Sequence, residues 1–172
     1  GGNRNGMIAK SNRPNGPFTV CNWSKDDPRK SDGILAFDPA VLVDDDGRVY
    51  GYWGFQQSFG AELDPNTMTT VKPGTQIVRD MVSNKNQEGK FRFFEASSIR
   101  KIKDKYVFIY SRWTENGEFG LPNTNYTLAY SYSDNPLGPF TYGGTIIDGR
   151  ARGTDENGKI IPTATPSCNT HG

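Results

Sequence analysis

Hydrophobic positions gather in short runs along this chain and nowhere settle into a helical period. Apolar and aromatic runs at 40–43, 48–53, 98–102, 106–111 and 127–131 predict strands. The pattern is clearest around Asp46-Gly47, where an apolar run meets three aspartates and then Val49-Tyr50-Gly51-Tyr52-Trp53. Asn-Gly and Asp-Gly pairs supply positive φ at low cost, so two runs flanking such a pair read as a hairpin. Residues 75–85 fit either a short helix or a strand and loop, with Ile77, Val78, Met81 and Val82 as their apolar positions. The predicted class is all-β.

Internal repeats extend this to an architecture. Ser11-Asn12-Arg13-Pro14-Asn15-Gly16-Pro17-Phe18-Thr19 returns without a gap, 122 residues later, as Ser133-Asp134-Asn135-Pro136-Leu137-Gly138-Pro139-Phe140-Thr141. In a second register, Asp38-Pro39-Ala40-Val41-Leu42 and Tyr52-Trp53-Gly54 return 57 residues later as Glu95-Ala96-Ser97-Ser98-Ile99 and Ile109-Tyr110-Ser111. The two spacings share a unit of roughly 60 residues, the size of a four-stranded propeller blade. The chain therefore holds about three blades, fewer than the four to eight of a closed ring. The expected division is a blade end near 1–30, a blade with Asp38 at about 31–90, a blade with Glu95 at about 91–150, and the start of another at 151–172. Missing segments or a partner chain are expected to close the ring, since open sheet edges invite aggregation.

Composition narrows the chemistry. Twenty Lys and Arg against 19 Asp and Glu leave a formal charge of +1, which argues against a nucleic-acid partner. No apolar run reaches 18 residues, and Gly1 to Gly6 carry no signal-peptide core, so no membrane partner is expected and localisation stays open. Cys21 and Cys168 allow at most one disulfide, and with a single His they argue against a Cys/His zinc site. Twenty Gly, 11 Pro and 21 aromatic residues suit strands and turns.

The 57-residue register places Asp38 and Glu95 at equivalent positions of successive blades. If these strands line the propeller axis, both carboxylates face one end of the channel. Two carboxylates in different surroundings are the ingredients of glycoside hydrolysis. Glu95 is the better acid, because Phe91, Phe93, Phe94 and Ala96 surround it with groups that disfavour ionisation. Asp38 is read as the group that keeps the acid protonated and orients it. Trp53 and Phe55 suit a sugar platform or a core role equally. Arg112, at the equivalent place after the Glu95 segment, invites the same substrate-binding reading, and Ser97 joins these candidates. Asp44-Asp45-Asp46-Gly47 lacks the alternation of a calcium loop and reads as a turn.

These segments resemble glycoside hydrolase family 43. Phe37-Asp38-Pro39 through Gly54 is similar to its second-carboxylate segment, and Phe94-Glu95-Ala96 through Ser111 to its general-acid segment. Tyr130 to Phe140 resembles the next outer hairpin and Asn169-Thr170-His171-Gly172 the histidine motif. The resemblance implies a five-bladed β-propeller that cleaves α-L-arabinofuranosides or β-D-xylosides with inversion, acting on arabinan, arabinoxylan or xylan. It implies Glu95 as general acid and Asp38 as pKa modulator. It also implies His171 in the pocket, beside a calcium or other ion held through water, with no cofactor required for the chemistry. No residue matches the family's general base, since 25–29 around Asp26 and Asp27 reads as a solvated loop. Two other readings stand beside this one: a non-catalytic carbohydrate-binding propeller, and an arc that needs another chain.

Overall fold

The computed structural model describes residues 6–83, 89–115, 117, 118, 126–148 and 157. Among them there is no α-helix. Ten strands form: β1 (Ala9–Lys10), β2 (Thr19–Val20), β3 (Ala40–Val43), β4 (Val49–Trp53), β5 (Phe59–Leu63), β6 (Val78–Arg79), β7 (Phe93–Ile102), β8 (Lys105–Trp113), β9 (Tyr126–Ser133) and β10 (Thr141–Asp148). They make one hairpin, β1-β2, and two antiparallel four-stranded sheets, β3-β4-β5-β6 and β7-β8-β9-β10, each in sequence order. Two successive up-and-down sheets of four strands are two propeller blades. Their first strands, β3 and β7, lie against each other.

The long repeat is one turn built twice. In the β1-β2 hairpin Ser11 Oγ accepts from Arg13 N at 3.1 Å and Arg13 O from Gly16 N at 3.1 Å. In the β9-β10 turn Ser133 Oγ accepts from Asn135 N at 3.0 Å and Asn135 O from Gly138 N at 3.1 Å. The β1-β2 hairpin thus carries the same turn as the β9-β10 connection.

The strands at 75–85 and beyond differ in extent from the sequence pattern. Of the ambiguous stretch at 75–85, the described residues 75–83 contain the two-residue strand β6 and no helix. β5, Phe-Gly-Ala-Glu-Leu, is a strand that its small residues hide from a hydrophobicity pattern. β7 starts at Phe93 rather than 98, because its register shifts between Phe93 and Glu95 and again between Glu95 and Ser98.

Every residue of β4 is buried, since both faces of the sheet are covered. Tyr50 and Tyr52 point into the core between the two sheets, with Ile99, Phe108, Tyr110 and Phe140. Val49 and Trp53 point into the other core, with Leu35, Ala61 and Leu63. A Cβ at Gly51, between them, would lie 2.6 Å from Leu35 Cδ2, so that leucine would have to shift to admit one. The Tyr52 hydroxyl reaches across the first core to donate to Pro136 O at 2.7 Å, tying one sheet to the outer turn of the next.

Candidate functional site

Antiparallel pairing fixes which residues share an end of the sheets. Ala40 pairs with Tyr52, Trp53 with Phe59, and Phe59 with Arg79, so Asp38, residues 54–58 and residues 80–83 lie at one end. Glu95 pairs with Ser111 near the start of β7, and Gln56 N donates to Phe94 O at 2.6 Å. Asp38 and Glu95 are thus at the same end of adjacent inner strands.

The two carboxylates differ in surroundings. Asp38 is exposed, just ahead of β3, with φ 41°. Glu95 is 8% exposed, between the buried side chains of Phe94 and Ala96. Ala96 has φ 60°, in the left-handed region that alanine rarely adopts. With register shifts on either side of Glu95, this is a bulge, a device that re-aims one side chain without ending the strand. Ser97 follows, buried, its Oγ without a hydrogen-bond partner among the described residues.

A run of rings crosses this end. Phe37, next to Asp38, lies 5.1 Å from Phe55, which lies 5.1 Å from Phe94, next to Glu95. Phe94 continues to Trp113 at 4.7 Å and Tyr126 at 5.0 Å. Phe37 and Phe55 are 42% and 48% exposed, so their rings face solvent, while Phe94 is buried. Sequence reasoning missed Phe37; its equivalence to Phe94 in the 57-residue register was the signal that could have found it.

The other candidates separate. Trp53 is buried and stacks on Phe59 at 5.7 Å in the core, so of the two roles open to it the structure fits the packing one. Arg112 is buried, its Nε donating to Lys90 O at 2.6 Å and its Nη1 to Glu118 at 3.0 and 3.1 Å, with Tyr142 5.4 Å from the guanidinium. Those contacts engage its donors within the protein. His171, with the ion it was expected to sit beside, and Cys168 lie outside the described residues. Among those residues no three His, Cys, Asp or Glu side chains gather as a metal site. A cleft of about 750 Å³ lies elsewhere, under the β1-β2 hairpin against Ile34, Met68 and Val71.

Residues 1–161 match the family model of Glycosyl hydrolases family 43. The chain is 31% identical over 178 residues to Xylosidase/arabinosidase 43A of Humicola insolens, covering 82% of this chain and 50% of that protein. It is 33% identical to the Beta-xylosidase of Xylanibacter ruminicola, with 82% and 48% covered. The chain thus spans about half the length of the curated relatives it matches. Among solved structures, an alpha-L-arabinofuranosidase from Clostridium thermocellum superposes with a TM-score of 0.57 at 28% identity, over 83% of this chain and 45% of that one.

Proposed function

The chain belongs to family 43 of the glycosyl hydrolases and is part of its propeller, and from that premise we propose that it carries the acid half of a glycoside-cleaving site. The observation that carries this reading is Glu95, buried and set on a bulge beside the exposed Asp38 at one end of adjacent inner strands.

In this reading Glu95 donates its proton to the glycosidic oxygen as the bond to the anomeric carbon breaks. An acid must hold that proton at working pH, and a carboxyl among aromatic side chains is better placed to do so than one in water. Asp38, at the same end, is the group that modulates and orients the acid. Phe37 and Phe55 supply apolar ring faces against which a sugar packs. A water attacks from the opposite face and inverts the anomeric carbon. The carboxylate that activates it stands roughly 6.5–9.5 Å from the acid and comes from a further segment or chain. The substrates are α-L-arabinofuranosidic or β-D-xylosidic linkages of arabinan, arabinoxylan or xylan. Humicola insolens and Xylanibacter ruminicola relatives named for those sugars support this choice.

The test is sugar release from arabinan and xylo-oligosaccharides, with the protein beside Glu95→Gln and Asp38→Asn. Turnover that both substitutions remove supports the reading. Saturable sugar binding without turnover, unchanged by Glu95→Gln, points instead to a carbohydrate-binding propeller.

A further inference from the structure

The chain is irregular on both sides of Glu95. Arg92 has φ 41° and Ala96 φ 60°, so two residues without a glycine's freedom take left-handed backbones around the acid. The ladder to β8 shifts register between Phe93 and Glu95 and again between Glu95 and Ser98. Regular backbone pairing alone therefore does not fix the direction of the Glu95 side chain.

Side chains hold the start of β7 instead. From β8, the Tyr110 hydroxyl donates to Phe91 O at 2.8 Å and Arg112 Nε to Lys90 O at 2.6 Å. Arg92 answers from the other strand. Trp113 N donates to Arg92 O at 3.0 Å, and the guanidinium donates Nε to Trp113 O at 2.9 Å and Nη2 to Thr114 O at 3.2 Å. Its Nη1 lies 3.4 Å from Glu115 Oε1. One planar fork thus grips three consecutive residues at the end of β8. Trp113, held in this way, stacks on Tyr126 at 4.4 Å and meets Phe94 at 4.7 Å. Phe94 is buried and adjoins Glu95, so the place of its ring constrains the backbone that bears the acid. Left-handed strain at an arginine persists only where the surroundings over-determine it, and such strain concentrates at functional sites.

We propose that Arg92 is a positioning residue for the proton transfer: through Trp113 and Phe94 it sets the direction of the Glu95 carboxyl. The proposal rests on the hydrolytic reading of Glu95 and adds to it a residue that acts through its neighbours. An acid must stand roughly 2.6–3.2 Å from the oxygen it protonates, so a small turn of this backbone costs rate. The cost falls on glycosides whose leaving group needs the proton.

The experiment compares wild type, Arg92→Gly, Arg92→Lys and Glu95→Gln, with a thermal melt of each to establish folding. Arg92→Gly keeps the left-handed backbone and removes the fork. Arg92→Lys keeps the charge without a planar fork. The quantity read is kcat/KM on an alkyl glycoside divided by kcat/KM on a nitrophenyl glycoside of the same sugar. That ratio is expected to fall roughly ten-fold or more in Arg92→Gly, and to fall in Arg92→Lys as well. A merely structural role lowers both substrates alike and leaves the ratio where it was. A ratio within about two-fold of wild type in folded Arg92→Gly overturns the proposal, and Arg92→Lys decides it where Arg92→Gly does not fold. A Glu95→Gln ratio equal to wild type, or a wild type that turns over neither glycoside, overturns the hydrolytic reading itself, and the proposal falls with it.

Discussion

Asp44 and Lys101 form an ion pair across the two sheets, Nζ to Oδ1 2.9 Å, and they stand 57 residues apart, the repeat distance of the blades. A residue of one blade's first turn thus holds its own counterpart in the next. The second Asp44 oxygen accepts from the Tyr106 hydroxyl, the first also accepts from Asp45 N at 2.8 Å, and Lys101 reaches Asp45 Oδ2 at 2.8 Å. This cluster lies at the end of the sheets away from Asp38 and Glu95. It fixes how the inner strands meet, and so where the two carboxylates are carried.

Removing it is expected to destabilise the fold. Asp44 is buried, so Asp44→Ala strips a hydrogen-bonded carboxylate from Lys101 and Tyr106 and leaves that hydroxyl without its acceptor. The expected loss is roughly 2 kcal/mol, read from the denaturant midpoint. Tyr106→Phe, which removes one bond, is expected to lose about 1 kcal/mol. An unchanged midpoint in Asp44→Ala contradicts this account.

The same cluster sets a pH window. Burial pushes the Asp44 carboxyl up, but the Tyr106 hydroxyl, the Lys101 ammonium and the Asp45 N–H together outweigh it and hold the group below its ordinary 3.8. Bonds to Asp45 and then Asp44 hold the Lys101 ammonium above its ordinary 10.5. A lowered carboxylate stabilises the fold above its unfolded value, and that stability is lost as pH falls through the folded one. A raised amine stabilises below its unfolded value and loses this as pH rises through the folded one. Thermal melts should therefore show a shared plateau between those limits. In Asp44→Asn the acid-side fall below about pH 3.8 should be shallower than in wild type.

Gly54 is expected to resist any side chain. Its φ is 140°, and a Cβ there would lie 1.9 Å from the Gln57 carbonyl oxygen. Gly54→Ala must move the loop that carries Phe55 and Gln56, at a cost of roughly 1–3 kcal/mol. The check is a melt together with sugar turnover: both should fall, and a variant stable and active as wild type would show that the loop does not need this conformation.

Phe55 can be tested without disturbing the core, being half exposed between Phe37 and Phe94. Phe55→Ala is expected to raise KM roughly ten-fold while the melting temperature moves little, because a ring face offered to the sugar is lost. A change confined to kcat, with KM intact, would remove Phe55 from sugar binding.

Much of the architecture was legible in the chain because propeller blades repeat. The nine-residue turn at 11–19 and 133–141 and the 57-residue register between Asp38 and Glu95 gave the blade size, and both correspond to equivalent structure. Apolar runs on either side of Asp46-Gly47 found the strands β3 and β4. They could not find β5, where Gly60 and Ala61 leave little apolar signal although the strand is almost fully buried. Nor could they find the bulge at Ala96, since no residue type demands a left-handed alanine. Arg112 shows the reverse limit. Its position after the acid segment was readable, but its engagement by Lys90 and Glu118 depends on how a neighbouring loop folds back.

The central claim is that Glu95 is the acid, and leaving-group dependence tests it most directly. The protein and Glu95→Gln are compared on glycosides of one sugar whose leaving groups run from a nitrophenol, which departs without a proton, to an alcohol, which cannot. The account predicts that Glu95→Gln loses about 10²–10⁴-fold in kcat/KM on the alcohol glycoside and far less on the nitrophenyl one. An equal loss across the series, or none, would show that the proton comes from another group.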